Sequence, residues 1–347
     1  MDRFKQVWNK LIERHDMLRM VVNEEGQQEV LEQVPFYDIK VDDLRNIDAD
    51  VAEQHFLATR EELSHQVFTG KDWPLFDVRI SLLAEGRSTL HISVDMLTLD
   101  AASGHILIAE IADLYHETQE LPELALSFRD YVLAEHLIRE TEQYKNAKAY
   151  WNKRIETLPL GPEFPLAQDP SLIKSPRFER RQFKSNEMQW SRLKETCQRH
   201  RTTPTVFLLS CISEVFYAWS KQDHFSLNLT LFNRLPLHPE VNDIVGDFTS
   251  LTILEVDYRE KARQSFTQRV SNIHQQLWED LEHKYYSGVE VQRDISRKMG
   301  KTVSIPIVVT SALGFSGSEE SSESRVHMFE RFTDSDQYGI TQTSQVW

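Results

Sequence analysis

The first half of the chain alternates between helical and strand-like hydrophobic patterns. Phe4, Trp8, Leu11 and Ile12 recur at the spacing of one helix face and predict an N-terminal helix. The same reasoning predicts, in order, a hairpin of residues 20–22 and 29–33, a helix over residues 51–68, a strand over residues 77–83 and a long helical segment over residues 128–155. This alternation is compatible with an α/β fold but does not define one.

The most informative stretch of this half is residues 90–103. Apolar and polar residues alternate from Leu90 to Val94, which is typical of a half-buried strand. After a short loop, Asp100 precedes apolar residues at helical spacing, so it is predicted to open a helix. Asp95 and Asp100 therefore lie at a strand-to-helix corner, where a rigid element holds functional side chains and a loop exposes them.

The residues alone leave three interpretations of Asp95 and Asp100 open. The plainest is structural, because an aspartate before a helix caps it and Asp95 merely ends the strand. A metal site is the second, but it needs further oxygen or nitrogen ligands, and the sequence contains no HExxH, CxxC or DxDxDG pattern. The third interpretation is a family motif, DxxxxD, which depends on the rest of the chain.

A proline-rich stretch, residues 158–170, separates the second half from the first. It holds four prolines and one glycine, and because proline fixes φ and removes a donor, we expect a linker. Beyond it the patterns predict a strand over residues 178–183, a helix over 188–200, a helix over 204–220 capped by Thr203, strands over 225–232 and 250–257, a helix over 266–281, a buried strand over 303–309, a polar segment over 316–324 and a strand over 338–347.

Composition narrows the class of protein. With 347 residues, of which 40% are apolar and 27% charged, the chain is long enough for two globular domains. No apolar run approaches the roughly 20 residues of a membrane helix. A net charge of −15 without a basic run argues against nucleic-acid binding. The only cysteines, Cys197 and Cys211, exclude a disulfide framework and, with no signal peptide at the start, predict a cytoplasmic protein.

Six ordered segments resemble the motifs of the heterocyclisation domains of nonribosomal peptide synthetases, which are relatives of condensation domains. They are residues 14–19 with 26–28 (RHxMLR…GxQ), 95–100 (DxxxxD), 158–166 (LPxxPxLPL), 228–254 with its GDFT, 306–311 (PIVVTS) and 342–346 (QTSQV). Condensation domains carry HHxxxDG at the corner, and their second histidine falls on Met96, which accepts no proton. The corner therefore resembles that of the heterocyclising subclass.

The resemblance implies an α/β fold of two chloramphenicol-acetyltransferase-like lobes with a tunnel between them. The expected domains are an N-terminal lobe over residues 1–157, the linker over 158–170 and a C-terminal lobe over 171–347. The family's first motif, FPLTxxQxAYxxGR, does not occur in the chain, and the last motif would continue past Trp347. Both lobes are therefore expected to be incomplete, and the chain is expected to express poorly alone because sheet edges would be exposed.

The activity implied by the resemblance is the condensation of a carrier-bound acyl thioester with carrier-bound cysteine, serine or threonine, followed by cyclodehydration to a thiazoline or oxazoline. Such rings belong to nonribosomal peptide or siderophore biosynthesis. The alternative is a truncated, non-catalytic remnant that only docks carrier proteins. An unrelated acyltransferase of the same fold is disfavoured, because such enzymes need the HHxxxDG histidine.

The implied partners are peptidyl or aryl carrier proteins and adjacent synthetase domains, with no nucleic acid and no membrane. The substrates would be carried on 4′-phosphopantetheine, and no cofactor or metal is expected on the domain itself. Because carrier proteins are usually acidic, a local basic patch is needed for docking. The candidates are Arg177, Arg180, Arg181 and Lys184, although a solvated face is the plainer interpretation.

The candidate catalytic residues are Thr310, Asp95 and Asp100. Thr310 matches the family threonine implicated in cyclodehydration, and its hydroxyl can donate and accept a hydrogen bond. The family's partner aspartate would lie just beyond Trp347. Asp100 is expected to pair with Arg234 across the lobes in a structural role, and Asp95 is expected to shape the tunnel rather than to act as an acid or base.

Arg234, Asp247, Thr249 and Gln345 are the candidate structural or tunnel residues. Asp247 and Thr249 belong to GDFT and are expected near the tunnel, although a local turn cap explains Asp247 equally well. His15 is expected to be structural. Ser344 replaces a proline of the family motif, which removes a backbone constraint but no chemical group.

Overall fold

The structure is a computed structural model, and it describes residues 2–117, 119–169, 172–173, 181, 183–220 and 222–313. The strands are β1 (Met20–Val22), β2 (Gln28–Val30), β3 (Lys40–Asp43), β4 (Phe76–Leu82), β5 (Ser88–Val94), β6 (His224–Phe232), β7 (Thr249–Asp257) and β8 (Val308–Val309). The helices are α1 (Asp2–Arg14), α2 (Ala49–Ser64), α3 (Ala101–His116), α4 (Phe128–Ile138), α5 (Glu142–Arg154), α6 (Glu187–Arg199), α7 (Pro204–Ser220), α8 (Phe266–Glu282) and α9 (Gly288–Met299).

Each half of the chain contributes a three-stranded sheet within the described residues. In the first half, β4 lies between β3, which is parallel to it, and β5, which is antiparallel to it. In the second half, β6 lies between the antiparallel β7 and the parallel β8. The predicted hairpin is present as β1 and β2. Parallel and antiparallel neighbours thus occur together, with helices covering the sheets, as in mixed α/β folds.

The long helical segment predicted over residues 128–155 is two helices, and that prediction was wrong. Thr141 interrupts it, because its side chain accepts a hydrogen bond from the backbone N–H of Tyr144 and caps α5. Threonine competes for backbone groups in this way, which favours a helix start over a helix interior. The break matters because α4 and α5 pack against different cores.

The strand predicted over residues 303–309 is also shorter than expected. Of the predicted residues, only Val308 and Val309 form a strand, β8, which pairs with β6. Val308 is 55% exposed, so this strand is not buried on both faces. Pro306 has no N–H to donate, whereas Val303 and Ile305 are buried beside α9. Of the strand predicted over 178–183, only residues 181 and 183 are described, and neither lies in a strand. The segments predicted over 316–324 and 338–347 lie outside the described residues.

The hydrophobic cores interlock the two halves. The first core joins α1, β4, α3 and α4, and a segment of the second half completes it with Leu235, Val241, Ile244, Val245 and Phe248. A second core lies between α7, β6, β7 and α8. In a third core, Ala147 and Trp151 of α5 pack on Ile253 of β7 and Val291 of α9. The lobe boundaries at residues 157 and 171 remain predictions.

Helix length and polarity bear on membrane association. Among the residues that the structure describes, no helix is both long enough and apolar enough to cross a membrane.

Candidate functional site at the lobe junction

The corner begins where β5 ends. The backbone N–H of Asp95 donates to the carbonyl of Leu75 at 2.9 Å, and its Oδ1 accepts from the N–H of Leu97 at 2.9 Å. The hydroxyl of Thr98 donates to the Asp95 carbonyl at 2.7 Å. Asp95 is half-buried and shapes a tight turn, so its contacts are those of a turn-forming residue. Met96 stands 40% exposed at the tip of this turn.

Asp100 is fully buried and joins the two halves of the chain. Its Oδ1 accepts the N–H of Ser103 at 2.7 Å and so caps α3. Its Oδ2 lies 3.4 Å from the N–H of Phe248, in the second half. Nη2 of Arg234 lies 3.4 Å from Oδ1, so the predicted pairing of these two side chains is present. The Asp100 carboxylate therefore caps α3 and also forms the ion pair with Arg234.

Arg234 has more partners than its carboxylate. Its Nη1 donates to the carbonyls of Val241 and Ile244 at 2.7 and 2.9 Å. Its guanidinium carbon lies 3.9 Å from the centre of the Phe248 ring, which is a cation–π contact. Burial lowers the pKa of Arg234, while the nearby Asp100 charge raises it. Arg234 thus contacts the 241–248 segment at three residues and holds it in place.

Sequence reasoning missed Ser103 and the packing of Gly246. The Ser103 hydroxyl donates to the Gly246 carbonyl at 2.7 Å and accepts from the Gly246 N–H at 3.0 Å and from Nη2 of Arg234 at 2.8 Å. A Cβ on Gly246 would lie 2.2 Å from the Phe128 ring of α4, so only glycine fits. The sequence places Ser103 three residues after the predicted cap Asp100, but no local pattern indicates that its hydroxyl contacts Gly246.

Asp247 and Thr249 follow Gly246 directly, and the turn cap expected of Asp247 is present. Oδ1 of Asp247 accepts the N–H of Thr249 at 3.0 Å, which is the turn cap. Both residues also line a cavity of about 270 Å³ between α4 and α9, together with Tyr131, Glu135 and Arg293. Burial raises the pKa of Asp247; the Thr249 hydrogen bonds lower it, and the charge of Asp100 raises it further.

Thr310 lies away from this junction. It follows β8, which pairs with β6 on the side opposite β7, whereas Asp247 precedes β7. Its side chain is exposed, and Oγ1 donates to Oγ1 of Thr230 at 2.9 Å. The structure therefore brings Asp100, Arg234, Asp247 and Thr249 into one junction and places Thr310 at another edge of the same sheet. Gln345 lies outside the described residues.

The remaining predicted residues lie elsewhere. His15 is buried, with Nε2 at 2.5 Å from Oε2 of Glu110, and Arg14 bonds the same carboxylate at 3.0 Å, which agrees with a structural role. Of the basic patch, the described members are Arg181 and Lys184. Within the described part of the chain, no group of three His, Cys, Asp or Glu side chains is arranged to hold a metal ion.

The fold and the junction define a two-lobed α/β protein whose halves are joined through a DxxxxD corner. The family model named Condensation domain matches residues 1–337. The chain therefore belongs to the condensation-domain family, and the family predicted from the six motifs is confirmed.

Two curated relatives and one solved structure illustrate the similarity. The chain is 36% identical to bacitracin synthase 1 of Bacillus licheniformis over an alignment of 352 positions, which covers 100% of this chain and 6% of that protein. It is 34% identical to phenyloxazoline synthase MbtB of Mycobacterium sp. (strain MCS) over 322 residues, which are 90% of this chain and 26% of that protein. The chain thus spans about a quarter or less of these relatives.

The solved structure is the cyclization-docking bidomain of the nonribosomal peptide synthetase EpoB from Sorangium cellulosum. It superposes with a TM-score of 0.80 at 36% identity and covers 90% of this chain, which spans 63% of that chain. The predicted α/β fold of two chloramphenicol-acetyltransferase-like lobes is therefore confirmed.

Proposed function

We propose that the chain condenses a carrier-bound acyl thioester with carrier-bound cysteine, serine or threonine and then closes the product to a thiazoline or oxazoline. Membership of the condensation-domain family supports the first step. The names of two similar proteins, a phenyloxazoline synthase and a cyclization-docking bidomain, support the second. Nonribosomal peptide or siderophore biosynthesis is the proposed setting.

The observation that carries this proposal is the composition of the DxxxxD corner. Asp100 is committed to the α3 cap and to Arg234, and Met96 offers no proton acceptor. The corner therefore holds the lobes together rather than supplying a general base. Such a corner suits an enzyme whose first step depends mainly on bringing two substrates together, which contributes on the order of 7–11 kcal/mol.

The proposed chemistry has two steps. In the first, the acceptor amine attacks the thioester carbonyl; a C–N bond forms, the C–S bond breaks, and the donor arm leaves as a thiol with the amine's proton. In the second, the acceptor's own thiol or hydroxyl attacks the new amide carbonyl. A C–S or C–O bond closes the ring, the former carbonyl oxygen leaves as water with the thiol or hydroxyl proton and the amide N–H proton, and a C=N bond forms. The second step needs a proton donor and acceptor, because an amide is a poor electrophile.

Thr310 is the proposed relay for ring closure. The Thr310 side chain is exposed, and its hydroxyl donates a hydrogen bond to the Thr230 hydroxyl. Because a hydroxyl can donate one proton and accept another, it can relay a proton while it stays neutral. Asp95 and Asp100 have positioning roles in this proposal. Asp247 and Thr249, together with Gln345, are proposed to line the substrate tunnel, and the cavity between α4 and α9 supports this for the first two.

The proposed partners are peptidyl or aryl carrier proteins and neighbouring synthetase domains. Each substrate would arrive as a thioester on a 4′-phosphopantetheine arm of a carrier. The reaction itself needs no metal or nucleotide. The proposed location is the cytoplasm.

Intact-mass spectrometry tests the proposal directly. An acyl-loaded donor carrier and a cysteinyl-loaded acceptor carrier are mixed with the chain, and the acceptor carrier is weighed. An acyl-cysteinyl product that has also lost water supports the proposal. An amide that keeps its water means condensation without cyclisation. If the chain binds the carriers but forms no product, the non-catalytic docking protein is the better account.

A further inference from the structure

One buried hydroxyl connects three parts of the lobe junction. Ser103 is fully buried in the first turn of α3, and its Oγ contacts the carbonyl and the N–H of Gly246 and Nη2 of Arg234, all within 3.0 Å. A hydroxyl has one proton to donate and two lone pairs to accept with. These three contacts therefore use its full hydrogen-bonding capacity.

We propose that Ser103 is a positioning residue that fixes the Gly246–Thr249 turn against α3 and thereby holds Asp247 and Thr249 in place. The inference rests on the proposed function for its catalytic consequence, but not for its structural one. Ser103 itself lies outside the cavity lining, so it acts through the turn and not on the substrate.

The contacts of the turn show why a single hydroxyl matters. Gly246 is bounded by the Phe128 ring on one side and by Ser103 on the other. Two further N–H groups of the turn, those of Phe248 and Thr249, donate to Asp100 and Asp247. Removal of the hydroxyl leaves the buried N–H of Gly246 without its acceptor, while the Gly246 carbonyl keeps the backbone N–H of Asp100 at 3.1 Å. The unsatisfied N–H belongs to the residue directly before Asp247, so the cost of the substitution is local to this turn.

Other buried serines of the chain differ in this respect. Ser210 and Ser213 are also fully buried, but each hydroxyl donates to a carbonyl four residues earlier in α7, at 2.8 and 2.7 Å. That carbonyl is already an acceptor in the helix, so alanine at position 210 leaves little unsatisfied. Because the Ser213 hydroxyl also faces the buried hydroxyl of Tyr258, Ser210→Ala is the matched control for the loss of a buried hydroxyl.

Hydrogen exchange measured by mass spectrometry tests the proposal without reference to activity. In Ser103→Ala we expect the amides of residues 246–249 to exchange roughly tenfold faster, because the turn loses its anchor. Strand β6 and residues 250–257 of β7 should keep their protection, and the control variant Ser210→Ala should match the wild type throughout. Unchanged exchange at residues 246–249, or an equal rise across the whole C-terminal sheet, overturns the proposal.

A milder variant covers a failure of Ser103→Ala to fold. Ser103→Cys has nearly the same shape but a weak donor and acceptor, so it should give the same local pattern with a smaller increase. Activity provides a second readout through the double variant Ser103→Ala/Asp247→Asn. If Ser103 acts through the turn, the double variant loses little more than Asp247→Asn alone, whereas multiplied losses contradict the proposal. Inactivity of the wild type would overturn the proposed function, and the exchange result alone would then decide on Ser103.

Discussion

Two fully buried aspartates join the halves of this protein, and they do so differently. Asp100 in the first half meets Arg234 of the second, and Asp280 in the second half meets Arg154 of the first. Each pair therefore connects residues that lie on opposite sides of the proline-rich stretch in the sequence. Paired arginines of this kind offset the cost of burying a carboxylate, but the geometry decides how completely.

The difference lies in what completes each carboxylate shell. Asp100 has both oxygens within reach of backbone N–H groups, those of Ser103 and Phe248. Asp280 gathers Tyr150, Gln276 and Arg154 on one oxygen, and its Oδ2 has no partner among the described residues. Burial raises the pKa of Asp280 to about 6, although Arg154 and the hydrogen bonds lower it. The contacts of Asp100 therefore depend on the path of the backbone, whereas those of Asp280 depend on which side chains surround it.

The largest expected effect is that of Asp100→Ala. It leaves Arg234 buried without its carboxylate and two amides without an acceptor, so we expect a loss of about 3–5 kcal/mol in the free energy of unfolding. Urea unfolding followed by circular dichroism measures it. Asp95→Ala is the control at the same corner, and because Asp95 is half-buried we expect a loss of about 1 kcal/mol. Equal losses in the two variants would contradict the special role of Asp100.

Asp280 is expected to make the free energy of unfolding depend on pH. Its folded-state pKa of about 6 lies above the ordinary value of 3.8, so between these values the folded protein keeps a proton that the unfolded chain has lost. Its contribution to stability is therefore fully present below about pH 4 and is lost as the pH rises through 6, by about 2–3 kcal/mol. Asp280→Asn does not titrate there, so its unfolding free energy should fall less over this range. Parallel pH profiles would refute the assignment.

Gly246→Ala tests the main-chain side of the junction. The new Cβ would lie 2.2 Å from the Phe128 ring, and overpacking of this kind costs about 1–3 kcal/mol. Gly104→Ala in α3 is the matched control, because no atom lies within 4 Å of its Cβ position. Since alanine favours a helix interior over glycine, the control should gain up to about 1 kcal/mol. Melting temperatures of the two variants should therefore move in opposite directions.

The sequence predicted one of the two aspartate junctions and not the other. The DxxxxD corner was recognisable because an N-cap, a strand end and a motif coincide within local sequence. The Arg234 partner followed from the family resemblance rather than from spacing. The other junction joins two helices that are far apart in the chain: Tyr150 and Arg154 lie on α5, whereas Gln276 and Asp280 lie on α8. No local pattern indicates that these helices pack together. Their meeting depends on tertiary packing, which periodicity does not contain.

The same reason explains the errors in the secondary structure. Helices such as α7 and strands such as β6 were predicted because caps and alternation are local. The break at Thr141 was missed because threonine is also tolerated within helices, and the choice depends on α4 and α5 joining different cores. The short extent of β8 reflects burial of Val303 and Ile305 in a loop, which an apolar run does not distinguish from a strand.

Of these variants, Thr310→Val should have the smallest effect on the free energy of unfolding and the largest effect on ring closure. This would distinguish the proposed catalytic residue from the aspartate junctions that stabilise the fold. Its hydroxyl is exposed and makes one hydrogen bond to Thr230, so we expect a loss within about 1 kcal/mol. If Thr310 relays the proton of ring closure, the product should stop at the amide, and the mass of the acceptor carrier would show the retained water. Thr302→Val, at an exposed threonine of the same segment, should still give the ring. A ring formed by Thr310→Val at the wild-type rate would remove Thr310 from the chemistry, and ring closure would then have to be sought at the cavity beside Asp247.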